Sequence, residues 1–419
     1  MKKWFGAEVC VKEGSNVTAS SADRCVCNPG WGGRRCGLPQ SVLSHSWMTE
    51  PKLVASLQVR KRPRRVIVFI NNYYYDAGIL ELNIRMLGDL VDVYVVSEEE
   101  VLYRHKNESF VFMLENGFLK DFHDKLVFVN ITEPSLPSID KLHFTVVEGL
   151  KLISDLRVDD LFIFLTPEHI LSRDFVLFLK LFHNYPQPVR CGFNQHVYGL
   201  QLVLPSGSEN INLSSEASEI KVASSNRHQF GSVHISLEGA SHVPNSSKRH
   251  RRDAFNNALF NELYSNHTQF EQNISDVPSI CAVSALVLSN VFENKMQRLQ
   301  EESLLLKKNH LEFFDSLNYP LFPWTYENAG WRCHLCLMSS SDIYEKLRVM
   351  PDYLAPSWFD GQPSVQSRMI LIIEKLRSNE MTEYQIQAQR ISIHGSQSRI
   401  IPKYVLEHEA QYYQKLFFL

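Results

Sequence analysis

Short uninterrupted apolar runs, separated by stretches with helical spacing, shape the first half of the chain. Val66–Ile70, Val91–Val96, Leu126–Val129 and Leu161–Phe164 each read as a buried strand. A strand of a parallel sheet is covered on both faces, so it needs apolar residues at every position rather than at alternate ones. Between the runs, Gly78–Leu87 has helical spacing, and Ile139–Leu156 places Leu142, Val146, Leu150 and Ile153 on one face. Arg173–Phe182 reads as an apolar helix. Alternating strands and helices predict an α/β fold with a doubly wound, mostly parallel sheet and right-handed crossovers. Ligands of such sheets bind beyond the carboxyl ends of the strands. Here that points to Asn71-Asn72, Ser97-Glu98 and Thr166–His169.

Composition narrows the picture. The 419 residues are 44% hydrophobic and 21% charged, ordinary for a globular chain that can bury one large core or two modest ones. The net charge of −3 gives no basic field for nucleic acid, so none is expected as a partner. No apolar run reaches about 18 residues, and residues 1–9 lack a signal-peptide pattern. Membrane attachment is therefore expected only through an N-terminal anchor absent from this chain. Seven Asn-x-Ser/Thr sequons, at Asn16, Asn107, Asn130, Asn212, Asn245, Asn266 and Asn273, accompany eight cysteines, four of them within the first 36 residues. This usage implies disulfides and an oxidising compartment. Residues 205–279 turn to Ser, Asn and charge and carry four of the sequons; residues 205–260 are expected to be poorly ordered and glycosylated. Arg60–Arg65 reads as a solvated basic edge, and Lys248–Arg252 as a solvated charge run whose Arg-x-Arg-Arg also suits a luminal convertase.

Two resemblances extend this reading. Cys25-Val-Cys27-Asn-Pro-Gly30-Trp31-Gly-Gly33-Arg-Arg-Cys36 is similar to the second half of an EGF-like unit, which implies Cys27–Cys36 and Cys10–Cys25 pairs. The segment Arg157-Val-Asp-Asp-Leu-Phe-Ile-Phe-Leu-Thr-Pro-Glu-His-Ile-Leu-Ser-Arg-Asp174 resembles glycosyltransferase family 17, the bisecting N-acetylglucosaminyltransferases. So do Ala329-Gly-Trp-Arg-Cys-His-Leu-Cys336, Ile343–Leu347 with Trp358, and Ile401-Pro-Lys-Tyr-Val-Leu406. The likeness runs from Cys25 to about Glu407, apart from the Ser/Asn-rich insertion. It implies an EGF-like stalk module over 1–40, a linker over 41–64 and a GT-A-like nucleotide-sugar half over 65–204. An insertion over 205–280 and an acceptor-side half over 281–419 follow.

The family implies inverting transfer of N-acetylglucosamine from UDP-GlcNAc to the core β-mannose of N-glycans on glycoproteins, in the Golgi lumen as a type II membrane protein, with a secreted form as a further expectation. Mn²⁺ or Mg²⁺ on carboxylates would neutralise the leaving diphosphate, and a carboxylate would deprotonate the acceptor hydroxyl. The family's acidic cluster after the fourth strand is replaced by Leu165-Thr166-Pro167-Glu168-His169. Glu168 and His169 are therefore the metal candidates, with Glu168, Glu98 and Glu327 as catalytic candidates. Asn71, Glu81, Thr166, Arg173, Asp174 and Trp331 are the substrate-binding candidates. The changed cluster keeps a second reading open: a degenerate member that binds glycan or glycoprotein without transfer. An adhesion protein using the EGF-like unit is a third. Cys333-x-x-Cys336 reads as structural, its cysteines pairing with each other or with Cys191 and Cys281.

Overall fold

The computed structural model describes residues 10–72 and 76–99 (except 22, 23 and 34), 109–132, 138–203 (except 198), 280–292, 296, 299, 321–338, 342, 343, 346, 367, 389, 390 and 401–408. In chain order the strands are β1 Trp31–Gly32, β2 Leu38–Pro39, β3 Gln58–Val59, β4 Val66–Asn72, β5 Val93–Glu99, β6 Leu126–Ile131, β7 Leu161–Leu165, β8 His169–Leu171, β9 Phe182–His183, β10 Gln187–Val197, β11 Gly199–Val203, β12 Ile280–Ser284, β13 Leu321–His334 and β14 Gln389–Arg390. The helices are α1 Gln40–Leu43, α2 Pro51–Ser56, α3 Ala77–Leu87, α4 Phe110–Glu115, α5 Ser138–Leu152, α6 Arg173–Leu181, α7 Ala285–Phe292 and α8 Lys403–Glu407.

The main sheet runs β6-β5-β4-β7-β12-β10-β11-β14, with β13 beside β10 and β8 beside β13. β6, β5, β4 and β7 are mutually parallel. β12 is antiparallel to β7 and to β10, and β13 is parallel to β10. The apolar runs have a direct cause in this arrangement. Val66, Val68 and Ile70 of β4 pack into a core with Ile79, Leu82 and Phe178, while Ile67 and Phe69 face a second core with Val146, Leu150 and Phe162. Helices cover both faces of the sheet, so β4 has no polar side. Each fully buried aliphatic or aromatic side chain contributes about 1.5–3 kcal/mol. α5 lies so close that a Cβ on Gly149 would come within 2.4 Å of Val95 Cγ1. Glycine is what allows the helix to seat there.

The predicted strands are present with shifted ends. β5 begins at Val93 and continues to Glu99, β6 reaches Ile131, and α5 ends at Leu152. Two expectations are corrected. Residues 41–64 do not form a plain linker: they carry α1, α2 and β3, which pairs with β9; Val42 is fully buried, and Ser41 Oγ donates to Tyr326 Oη at 2.8 Å. Nor is the basic edge solvated throughout. Arg64 is buried, donating to Tyr185 Oη and the Phe182 carbonyl, each at 3.0 Å, and Arg65 pairs with the buried Asp160.

All eight cysteines are paired: Cys10–Cys25, Cys27–Cys36, Cys191–Cys281 and Cys333–Cys336. The N-terminal module is docked on the main body, since Val11 belongs to the principal core and a Cβ on Gly37 would meet the Phe182 ring at 2.9 Å. The Ser/Asn-rich stretch, with Asn212, Asn245, Asn266, Asn273 and Lys248–Arg252, lies outside the described residues, as do Asn107 and Trp358. Asn16 and Asn130 are exposed. Among the described residues no helix is long and apolar enough to cross a membrane.

Candidate functional site

The turn after β7 sits at the carboxyl edge of the parallel strands, beside the end of β4, since Ile70 pairs with Leu165. β7 is apolar and buried along its whole length; Thr166 is exposed, and the chain folds back into β8. The His169 amide donates to the Thr166 carbonyl at 3.2 Å, and Thr166 Oγ1 lies 3.0 Å from His169 Nδ1. The His169 ring stacks on Phe193 at 4.1 Å. Burial, then the nearby Arg332 charge, pushes the His169 pKa down to about 3, so the imidazole is neutral.

Glu168 points inward and is 3% exposed. Lys346 Nζ lies 3.5 Å from Glu168 Oε1, and Arg332 Nε lies 3.4 Å from Glu168 Oε2. The same ammonium donates to Asp76 at 3.0 and 3.3 Å. Asp76 is fully buried just before α3, in the segment that follows β4. Two carboxylates from neighbouring strand ends therefore share one ammonium. Arg332 reaches this place because β13 pairs with β8, setting Arg332 opposite His169, while the Cys333 amide donates to the Glu168 carbonyl at 2.8 Å.

The other candidates are distributed around the fold. Asn71 Oδ1 accepts from Ser97 Oγ and Thr145 Oγ1, each at 2.8 Å, tying β4, β5 and α5 together at the carboxyl edge. Glu98 is buried, and its carboxylate accepts the Phe110 amide at 2.7 Å, at the first turn of α4. Burial raises its pKa to about 7, against the opposing hydrogen bond from Phe110. Glu81 pairs with Arg85 one helical turn on, at 2.8 Å. Trp331 is half-buried on β13, between Ile170 and Asn194 of the neighbouring strands.

Three expectations differ from the geometry. Arg173 holds Asp89 through a two-point contact at 2.5 and 2.6 Å and donates to the Met86 carbonyl. It and Asp174 therefore lie by the far end of α3, away from the carboxyl edge, where Arg173 is engaged by Asp89 and the Met86 carbonyl. Glu327 is exposed on β13, five residues before Arg332. At about 3.3 Å per strand residue that separates it from Glu168 by on the order of 15 Å. The Glu168–His169 metal pair also fails a test of fit. Hard cations prefer oxygen ligands, but both Glu168 oxygens already face cations, and His169 Nδ1 faces the Thr166 hydroxyl. Among the described residues no group of three or more His, Cys, Asp or Glu is placed to hold a metal ion.

Asp76, Lys346 and Asn83 are the residues that local sequence reading did not select. Asn83 clamps β8, donating to the His169 carbonyl at 2.6 Å and accepting from the Leu171 amide at 2.9 Å. Asp76 had a signal, since it is the first acid after a strand whose carboxyl end was already indicated. Lys346 lies within the Ile343–Leu347 segment that carries the family resemblance, but nothing local ties it to Asp76, 270 residues away in sequence.

No family model matches the chain. Among curated proteins it is similar to the beta-1,4-mannosyl-glycoprotein 4-beta-N-acetylglucosaminyltransferase of Mus musculus, 32% identical over 197 residues, which covers 44% of this chain and 36% of that protein. The proteins of the same name from Homo sapiens and Rattus norvegicus are each 33% identical over 186 residues, 42% of this chain and 34% of theirs. The chain spans about a third of the length of the curated relatives it matches. These matches bear out the resemblance to glycosyltransferase family 17 that the motifs around β7 and β13 carry.

Proposed function

We propose that this chain is an N-acetylglucosaminyltransferase that takes UDP-GlcNAc as donor and the core β-mannose of glycoprotein N-glycans as acceptor. The observation that carries the reading is the similarity to three named transferases of this kind. The order β6-β5-β4-β7-β12-β10, parallel except for β12, supports a GT-A-like nucleotide-sugar fold. The Thr166–His169 turn lies at the carboxyl ends of the parallel strands, the edge at which such sheets bind ligands. Arg332, the more exposed of the two cations on Glu168, is the group best placed to meet the phosphates of a donor. The Cys10–Cys25 and Cys27–Cys36 loops support an EGF-like module ahead of the transferase domain. Complete cysteine pairing supports a luminal or secreted setting, for which the Golgi membrane is our proposal.

A specific observation favours a second reading, a family member that binds glycan without transfer. None of the three candidate carboxylates stands as an available base. Glu168 is held by two cations, Glu98 holds α4, and Glu327 is remote from the turn. The experiment that separates the two readings incubates the secreted chain with UDP-GlcNAc and a free N-glycan. Mass spectrometry then looks for an added N-acetylhexosamine, while calorimetry measures glycan binding. Transfer supports the first reading. Glycan binding without transfer supports the second, and neither result overturns both.

A further inference from the structure

Two buried carboxylates at the ends of adjacent parallel strands, Asp76 after β4 and Glu168 after β7, would repel one another strongly in a low-dielectric edge. A divalent cation is one way to hold such a pair. Here the side chain of Lys346, itself only 3% exposed, already bridges them, with Arg332 on the outer oxygen of Glu168. The four groups sum to zero charge. A divalent ion seated between the two carboxylates would require Lys346 to leave its two acceptors. Breaking a buried pair in that way strands a charge, which is strongly unfavourable.

We propose that Lys346 is the resident cation of this edge, in the position a Mn²⁺ or Mg²⁺ ion would take between Asp76 and Glu168, so that the site works without a divalent metal. The inference concerns the cation alone and holds whether the chain transfers a sugar or only binds one.

The test is an electron paramagnetic resonance titration of Mn²⁺ with the full chain, read alongside thermal melts in chelator and in excess Mn²⁺. The wild-type chain should leave the free Mn²⁺ signal undiminished and melt at the same temperature in both conditions. Lys346→Met should acquire a Mn²⁺ site at least about tenfold tighter than any in the wild type, because the two carboxylates lose the ammonium they share and a metal ion can take its place, releasing any proton held between them. Its melting temperature should rise when Mn²⁺ is added, and Asp76→Asn in the same background should abolish both effects. A wild-type chain that binds one Mn²⁺ and loses it on Asp76→Asn or Glu168→Gln would overturn the proposal. So would a folded Lys346→Met that binds no Mn²⁺. Should Lys346→Met not fold, the wild-type titration with Asp76→Asn decides the matter alone.

Discussion

Glu98 and Glu168 look alike in the sequence, each an acid just past an apolar run, yet the fold treats them differently. Glu168 has cations at both oxygens, whereas Glu98 has the Phe110 amide and a buried surround. Burial raises the Glu98 pKa from 4.5 to about 7, so the folded chain holds a proton there that the unfolded chain releases above pH 4.5. The stability from this group is present below pH 4.5 and is lost as pH rises through 7; the linkage amounts to roughly 3 kcal/mol. Glu98→Gln keeps an acceptor for Phe110 and removes the ionisation. It should stabilise the chain by about that amount at pH 8 and by less than about 1 kcal/mol at pH 5, as read from urea unfolding at the two pH values. An equal effect at both would reject the assignment. The two desolvated histidines, His196 fully buried and His169 half-buried at the rim of the turn, have the opposite sign. His196 is lowered to about 4 and His169 to about 3, chiefly by burial. Below about pH 6.5 the unfolded chain takes up protons that these rings refuse. Their contribution therefore falls as pH drops, against the gain at Glu98.

At the scale of elements, β8 is three residues long, and its position sets that of the whole turn. It is held between β13 and the Asn83 side chain of α3. Asn83→Ala would leave the His169 carbonyl and the Leu171 amide without that partner, at about 1–3 kcal/mol for each buried group. The expected outcome is a loss of about 2–6 kcal/mol in urea unfolding, with faster hydrogen exchange at Leu171 than at β4 amides. Unchanged exchange at Leu171 would mean the clamp is not what fixes β8. This is also the scale at which the sequence was most and least legible. β4, β5, β6 and β7 were readable because burial on both faces writes an unbroken apolar run, and their ends were misjudged where polar residues such as Ser97 and Glu98 continue a strand. β3 and the short helices of 41–64 were not readable, because elements of two to six residues have too few positions to show a period. β10 and β13 mix polar, aromatic and Pro residues, so they carry no period-two signal; their place in the sheet depends on partners far away in sequence.

At the scale of the whole molecule, Cys191–Cys281 bridges β10 to β12 across a sequence separation of 90 residues. Closing so long a loop removes about 4–5 kcal/mol of unfolded-state entropy. Replacing both cysteines by serine should lower stability by about that amount, measured by urea unfolding under non-reducing conditions. A midpoint equal to that of the wild type would show that the sheet holds β10 and β12 without the bridge. The candidate site was partly legible at this scale. The turn at Thr166–His169 was located by the rule that ligands sit beyond strand ends. What lies inside the turn was not, because Lys346 and Arg332 arrive from the last third of the chain and decide what Glu168 can do.

The most direct test of the account is transfer in the presence of chelator. The secreted chain is incubated with UDP-GlcNAc and a free N-glycan bearing an unsubstituted core β-mannose, in EDTA and in Mn²⁺, and the product is read by mass spectrometry. The account predicts one added N-acetylhexosamine at the same rate in both. Transfer that requires Mn²⁺ would contradict the resident ammonium, and no transfer in either condition would contradict the enzyme.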